Sequence, residues 1–163
     1  MNWLFGDNIN TDLITPGRYN ITTDPHELAK IAFIEHRPEF AKNVKQGDYI
    51  IGGNNFGCGS SRETAVTSLA ACGIRAIIAK SFARIFYRNC MNQGMLVIVA
   101  NTDKIEEQDV LELDFKKQEI TNKTKKISTT ATMPTLMLKL YKAGGIISYL
   151  QKNGLNSVKN LFE

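Results

Sequence analysis

Between Tyr49 and Ala100 the chain alternates short apolar runs with segments of helical periodicity, and this alternation limits the folds open to it more than any other feature. Tyr49-Ile50-Ile51 is entered through Gln46-Gly47-Asp48 and left through Gly52-Gly53, which predicts a buried strand bounded by turns. From Ser61 to Cys72 the apolar Ala65, Val66, Leu69 and Ala70 fall on one helical face, and Gly73 stands where a C-terminal cap belongs. Ile74 to Lys80 predicts a second strand. Ser81 opens and caps a further helix that carries Phe82, Ile85 and Phe86 and ends near Gly94, and Met95 to Ala100 is a third strand. Such a β-α-β-α-β succession calls for a parallel sheet with right-handed crossovers and places the chain in the α/β class.

Outside this run the pattern loosens. Val110 to Phe115 alternates apolar and acidic residues, and a second polar strand around Glu119 to Ile127 is expected to pair with it through Asn122-Lys123 as an antiparallel appendage. Leu136 to Tyr141 and Ile146 to Leu150 read as two short amphipathic helices parted by Gly144-Gly145, with Gly154 closing the second. No repeat, low-complexity tract or long linker divides the 163 residues, so one domain spanning 1–163 is expected. No apolar run approaches the roughly 20 residues of a membrane helix. Trp3-Leu4-Phe5 is followed by Asp7 and Asp12, unlike a signal peptide, so a cytoplasmic protein with no membrane partner is the expectation.

The formal net charge of +4 raises the question of nucleic acid. The densest basic stretches, Lys116-Lys117 and Lys123 to Lys126, lack the interleaved aromatic residues on which bases stack, so they predict a solvated hairpin and no nucleic-acid partner. Cys58, Cys72 and Cys90 are spaced too widely for a CxxC or zinc site. Cys72 and Cys90 are expected in the core, and Cys58 as a small buried side chain of a glycine loop. His26 and His36 have no second ligand at metal-binding spacing and are expected in exposed loops.

Chemistry gathers in Phe56-Gly57-Cys58-Gly59-Ser60-Ser61-Arg62-Glu63, between a strand end and a helix start, the edge at which open parallel sheets bind ligands. Gly57 and Gly59 permit positive φ, the helix presents free N–H groups from Ser61 onward, and Arg62 adds a guanidinium fork suited to a carboxylate or phosphate. Ser60 and Glu63 also have the spacing of a capping box, so Ser60 is read as a helix cap, as part of an anion site, or as both. Three common glycine-rich motifs fail. Gly52 and Gly57 have P-loop spacing, but Cys58-Gly59 replaces Lys-Ser/Thr. Gly57-x-Gly59 is followed by Arg62 where a dinucleotide fingerprint needs glycine or alanine, and no serine has a G-x-S-x-G setting.

Three blocks together resemble the small subunits of 3-isopropylmalate dehydratase, in the aconitase superfamily. They are Gly6-Asp7-Asn8-Ile9-Asn10-Thr11-Asp12-Leu13-Ile14-Thr15-Pro16-Gly17-Arg18-Tyr19, Asn55 to Glu63, and Ala79-Lys80-Ser81-Phe82-Ala83-Arg84-Ile85-Phe86-Tyr87-Arg88-Asn89. The spacing agrees from about residue 3 to about residue 100, and the tail at Gly144-Gly145-Ile146 and Tyr149-Leu150 is similar too; Asn101 to Met133 carries no motif. The resemblance implies a three-layer β/β/α swivelling domain with a mainly parallel sheet.

It also implies roles. Ser60 corresponds to the base that removes the substrate's C–H proton, Ser61 hydrogen-bonds beside it, Arg62 grips a substrate carboxylate, and Gly59 belongs to the loop that receives the substrate. Asp12 matches an aspartate of the same site, its plainer alternative being to cap a turn. The Lewis acid implied is one iron of a [4Fe-4S] cluster. The three cysteines do not match its ligand set, so no cofactor or metal is expected in this chain. The cluster is assigned to a large subunit, the partner in a heterodimer or heterotetramer. Substrate choice falls on Tyr19-Asn20-Ile21-Thr22: Ile21 stands where relatives acting on homoaconitate carry an arginine, which favours the isopropyl group of isopropylmalate. Asn20 departs from the usual leucine, and Thr64 stands where many bacterial members have histidine. Homoaconitate and dimethylmalate therefore stay open as substrates, and so do a non-catalytic carboxylate-binding module and basic-surface RNA binding.

Overall fold

The computed structural model describes residues 1–161. In chain order its elements are β1 (Asn2–Leu4), α1 (Thr11–Ile14), α2 (Pro25–Lys30), α3 (Phe40–Asn43), β2 (Tyr49–Ile51), α4 (Glu63–Ala71), β3 (Ala76–Ala79), α5 (Arg84–Gln93), β4 (Val97–Ala100), β5 (Leu111–Asp114), β6 (Glu119–Asn122), β7 (Ile127–Thr132), α6 (Thr135–Ala143) and α7 (Ile146–Asn153). The strands form one sheet in the order β1-β2-β3-β4-β7-β6-β5. The expected β-α-β-α-β run is β2-α4-β3-α5-β4, and β1, whose three residues give no alternation to read, adds a fourth parallel strand. Its register sets Trp3, Ile50, Ile77 and Val97 in one row across the four strands, all buried. Each such side chain contributes about 1.5–3 kcal/mol by leaving water.

Beyond β4 the sheet turns antiparallel through Val99↔Thr132 and Ala100↔Ala131, so it is parallel at one end and mixed as a whole. The single polar strand expected from Glu119 to Ile127 is two strands. Asn122 ends β6, its Oδ1 accepts the Lys125 N–H at 3.1 Å, and Lys126 takes φ 56° before β7 begins at Ile127. The appendage is therefore a hairpin-linked trio continuous with the main sheet.

α4 packs on α2 and α5, and α5 on α6 and α7. α5, α6 and α7 end on Gly94, Gly144 and Gly154. Trp3, Phe5, Phe33 and Phe40 form an aromatic nest with centroids 4.2–5.0 Å apart for Phe5–Phe33, Trp3–Phe40 and Phe33–Phe40. Cys90 is buried, which pushes its thiol well up, and half-buried Cys72 packs on the core, where burial pushes its thiol up to about 11. Both histidines are exposed, His36 in a turn and His26 on α2 rather than in a loop. No helix among the described residues is long and apolar enough to cross a membrane.

Candidate active site

Parallel strands joined by crossovers deliver every following loop to the same edge of a sheet. Here the loops after β1, β2 and β3 meet and bind one another. Asp7 Oδ1 accepts the Asn54 N–H at 2.5 Å, and that N–H is the main reason its carboxyl lies below the usual range. Asn8 and Asn55 both hold left-handed backbone, φ 56° and 55°, and Asn55 Nδ2 donates to Asn8 Oδ1 at 2.9 Å. Ser81 was expected to cap α5. Instead its Oγ accepts the Asn55 N–H at 2.8 Å, its C=O accepts the Phe56 N–H at 3.0 Å, and the cap position falls to Ala83. The Gly57 N–H donates to Ile9 C=O at 2.7 Å and the Thr11 N–H to Cys58 C=O at 2.9 Å. Cys58 is half-buried rather than buried, and its thiol donates to Asn8 C=O at 3.4 Å.

These ties fix the glycine loop. Gly57 holds φ 78°, and a Cβ there would sit 2.1 Å from Phe86 Cγ, so any side chain collides with the core. Gly59 holds φ 90° but has its nearest neighbour, Asn10 Cβ, at 3.5 Å, so only the backbone conformation demands glycine.

Ser60 and Ser61 are both exposed, just ahead of α4. The capping-box reading of Ser60 fails, because α4 starts at Glu63 and its N-cap is Arg62, with no side-chain cap. Ser60 instead turns its Oγ to Thr11 Oγ1, 3.2 Å away, and Thr11 Oγ1 lies 2.9 Å from Ser60 C=O. Asn10 is the residue that caps α1, accepting the Leu13 N–H at 2.8 Å, which releases Asp12 from that plainer role. Asp12 forms an ion pair with Arg62, and Arg62 Nη1 also donates to Thr15 C=O at 3.0 Å. Ser60, Asp12 and Arg62 thus belong to one small constellation, and the sequence reading omitted Thr11 from it. Thr11 was hidden because its contact depends on the bridge between Asn10 and Cys58, which no local pattern reveals.

Ile21 bonds to none of this group, its N–H donating to Tyr19 C=O at 2.9 Å, and the residue is 89% exposed. With Asn20, Thr22, Thr23 and Thr64 it borders an open recess of about 500 Å³. Asn20 Oδ1 and Thr64 Oγ1 are buried with no hydrogen-bond partner among the described residues. A second recess of about 610 Å³ runs along Gly57, Gly59, Phe82, Arg84 and Arg88. The glycine loop therefore has an uncharged hollow on the Thr64 side of α4 and a basic one along α5.

Among the described residues no group of three or more His, Cys, Asp or Glu side chains could hold a metal ion. The described residues therefore offer no ligand set for an iron-sulfur cluster.

Comparison with known proteins agrees with this fold. Residues 5–103 match the family model described as the aconitase C-terminal domain. The methanogen homoaconitase small subunit of Methanocaldococcus jannaschii is 52% identical over 153 residues, 93% of this chain and 89% of the relative. The 3-isopropylmalate dehydratase small subunit 2 of Archaeoglobus fulgidus is 48% identical over 154 residues, 93% of each. The crystal structure of a 3-isopropylmalate dehydratase from Methanocaldococcus jannaschii superposes with a TM-score of 0.90 at 48% identity, over 98% of this chain and 96% of the other.

Proposed function

The chain belongs to the aconitase C-terminal domain family, and from that premise we propose that it is the small subunit of a hydro-lyase interconverting 2-isopropylmalate and 3-isopropylmalate by dehydration and rehydration. In this reading the whole chain, 1–163, acts as a single swivelling domain in the cytoplasm. It closes on a large subunit, as a heterodimer or heterotetramer, that carries a [4Fe-4S] cluster. Such a cluster, when bound there, would supply the Lewis acid that assists departure of the hydroxyl.

The residues of this chain carry the other half. Ser60, as its alkoxide, takes the proton from the carbon next to the one bearing the hydroxyl. The C–H electron pair becomes the new C=C bond as the C–O bond breaks, its electron pair leaving with the hydroxyl, which an acid group of the large subunit would protonate to water. In rehydration Ser60 Oγ–H returns the proton. A serine hydroxyl ionises only in strong positive potential, and here it stands before the N-terminus of α4 and beside Arg62. Arg62, anchored to Thr15 C=O and paired with Asp12, offers its remaining N–H groups to a substrate carboxylate. Ser61 adds a hydroxyl beside it, and left-handed Gly59 lets substrate approach the loop closely. Asp12 holds the guanidinium in place.

The observation that carries the choice of substrate is the recess around Ile21. Its lining of Asn20, Ile21, Thr22, Thr23 and Thr64 contains no charge. An isopropyl group meets Ile21 there, whereas the third carboxylate of homoaconitate finds no cation. The 52%-identical relative favours homoaconitate as the second reading. Both are tested by mixing the purified chain with a cluster-loaded large subunit and measuring kcat/KM for 3-isopropylmalate and homoaconitate. The expected outcome is no turnover by the chain alone and a preference for isopropylmalate of at least about tenfold in the complex. A preference for homoaconitate would reverse the assignment, and turnover by the isolated chain would overturn the division of labour.

A further inference from the structure

Thr11 is 1% exposed, and both ends of its peptide are bound: its N–H donates to Cys58 C=O at 2.9 Å and its C=O accepts the Thr15 N–H at 2.9 Å. Its hydroxyl therefore has a fixed place, 2.9 Å from Ser60 C=O and 3.2 Å from Ser60 Oγ. Thr11 has one hydroxyl proton. While that proton sits on the Ser60 carbonyl, the contact between the two hydroxyls must be made by the proton of Ser60. Once Ser60 is ionised, that donor is gone and Oγ can only accept. The Thr11 proton can then swing from the carbonyl to the Oγ by rotation about Cβ–Oγ1, with no heavy atom moving.

We propose that Thr11 is a catalytic residue whose hydroxyl donates to the ionised Ser60 Oγ and so supports the base of the reaction. The inference rests on the assignment of Ser60 as that base. No proton leaves Thr11, and the proton that Ser60 gains comes from the substrate carbon. A hydrogen bond to a charged oxygen is about twice as strong as one to a neutral oxygen. The donor is preorganised by the bridge between Asn10 and Cys58, so it costs no rearrangement at the moment of reaction. Asp12, the next residue, points its charge to Arg62, so adjacent positions of α1 serve the acceptor of the proton and the holder of the carboxylate separately.

The test is a mutant cycle in the complex with the large subunit, scored on 3-isopropylmalate, or on homoaconitate if the wild-type complex prefers it. Thr11→Val keeps the shape and removes the donor. We expect kcat to fall about tenfold or more, each power of ten being about 1.4 kcal/mol. KM should stay within about threefold, and the acidic limb of the kcat/KM profile should move to higher pH, since losing a donor to the charged form disfavours that form. Thr11→Ser should restore kcat. In a Ser60→Ala background Thr11→Val should cost nothing further. Full kcat in Thr11→Val, or an equal loss in Thr11→Ser, would overturn the inference while leaving Ser60 as the base. Near-normal turnover by Ser60→Ala would overturn both. If Thr11→Val fails to co-elute with the large subunit, Thr11→Ser is compared with Thr11→Ala, a pair differing by the hydroxyl alone.

Discussion

The two halves of the sheet differ in how their connections use the backbone. In the parallel half, β1 to β4, each crossover returns the chain so that the loops after β1, β2 and β3 leave from one edge. There Asp7 binds Asn54, Asn8 binds Asn55, and Ser81 binds the Asn55 N–H. In the antiparallel half, β5 to β7, hairpins send successive turns to opposite ends, and each turn satisfies its polar groups locally. Asp114 accepts the N–H groups of Lys116 and Lys117 at 2.9 Å in one, and Asn122 accepts that of Lys125 in the other. Two of the lysines in the chain's basic stretches are engaged with acids: Lys123 with Glu112, and Lys125 with Glu106 at 2.6 Å and Asp109 at 3.4 Å. Loops forced together make a site, whereas turns closed on themselves make a surface.

If that contrast is right, the largest effect of any single change belongs at the loop edge. Ser60→Ala should lower turnover of the reconstituted enzyme by about 10² to 10⁴, the range for losing a general base, while the variant still co-elutes with the large subunit. Ser60 is exposed and makes no cap, so its removal should leave the thermal midpoint of the free chain nearly unchanged. A large drop in that midpoint would turn Ser60 into a structural residue and break the contrast.

The glycines sharpen it. Gly57→Ala adds a Cβ into Phe86 and forces alanine to φ 78°, so it should destabilise by about 1–3 kcal/mol for overpacking and about 1 kcal/mol or more for the left-handed backbone. Gly59→Ala bears the second cost alone, its nearest neighbour being 3.5 Å away. Urea unfolding of the two variants should rank them in that order. Equal losses would mean that the loop relaxes around Phe86.

Much of the parallel half was legible in the sequence because buried strands and amphipathic helices leave unlike periods. Tyr49–Ile51, Ala76–Ala79 and the helix around Ala65, Val66 and Leu69 could be read from residue types alone. Ser81 was misread as a cap, and Ser60 stayed open between a cap and an anion site, because a hydroxyl ahead of a helix has two local outlets, its own helix and a neighbouring loop, and only the fold decides between them. Arg62 was legible as an anion-binding group from its place before the helix and Asp12 entered the site through resemblance, but their pairing, and the place of Thr11 against Ser60, arise from a bridge between residues 48 apart in sequence (58 − 10). β7 was lost for a different reason. Ile-Ser-Thr-Thr-Ala-Thr is a strand of β-branched and small polar residues whose neighbours supply the apolar cover, so its hydrophobic alternation is faint.

The smallest effect is expected where the antiparallel half is most charged. Lys123 pairs with Glu112, and the two side chains are 56% and 59% exposed, so solvent screens the pair and it contributes about 0–1 kcal/mol. Around it the turn keeps its own supports, since the Lys123 N–H donates to Val110 C=O at 2.8 Å whatever the side chain. Thr121 Oγ1 and Ser128 Oγ stay 3.2 Å apart across β6 and β7. Lys123→Ala should therefore shift unfolding by no more than about 0.5 kcal/mol and leave kcat and KM of the complex unaltered, at low and at physiological salt. A fall in turnover relative to wild type that is largest at low salt and fades as salt rises would mean that this hairpin meets an acidic surface of the large subunit. The boundary between the site half and the surface half would then have to be redrawn across β7.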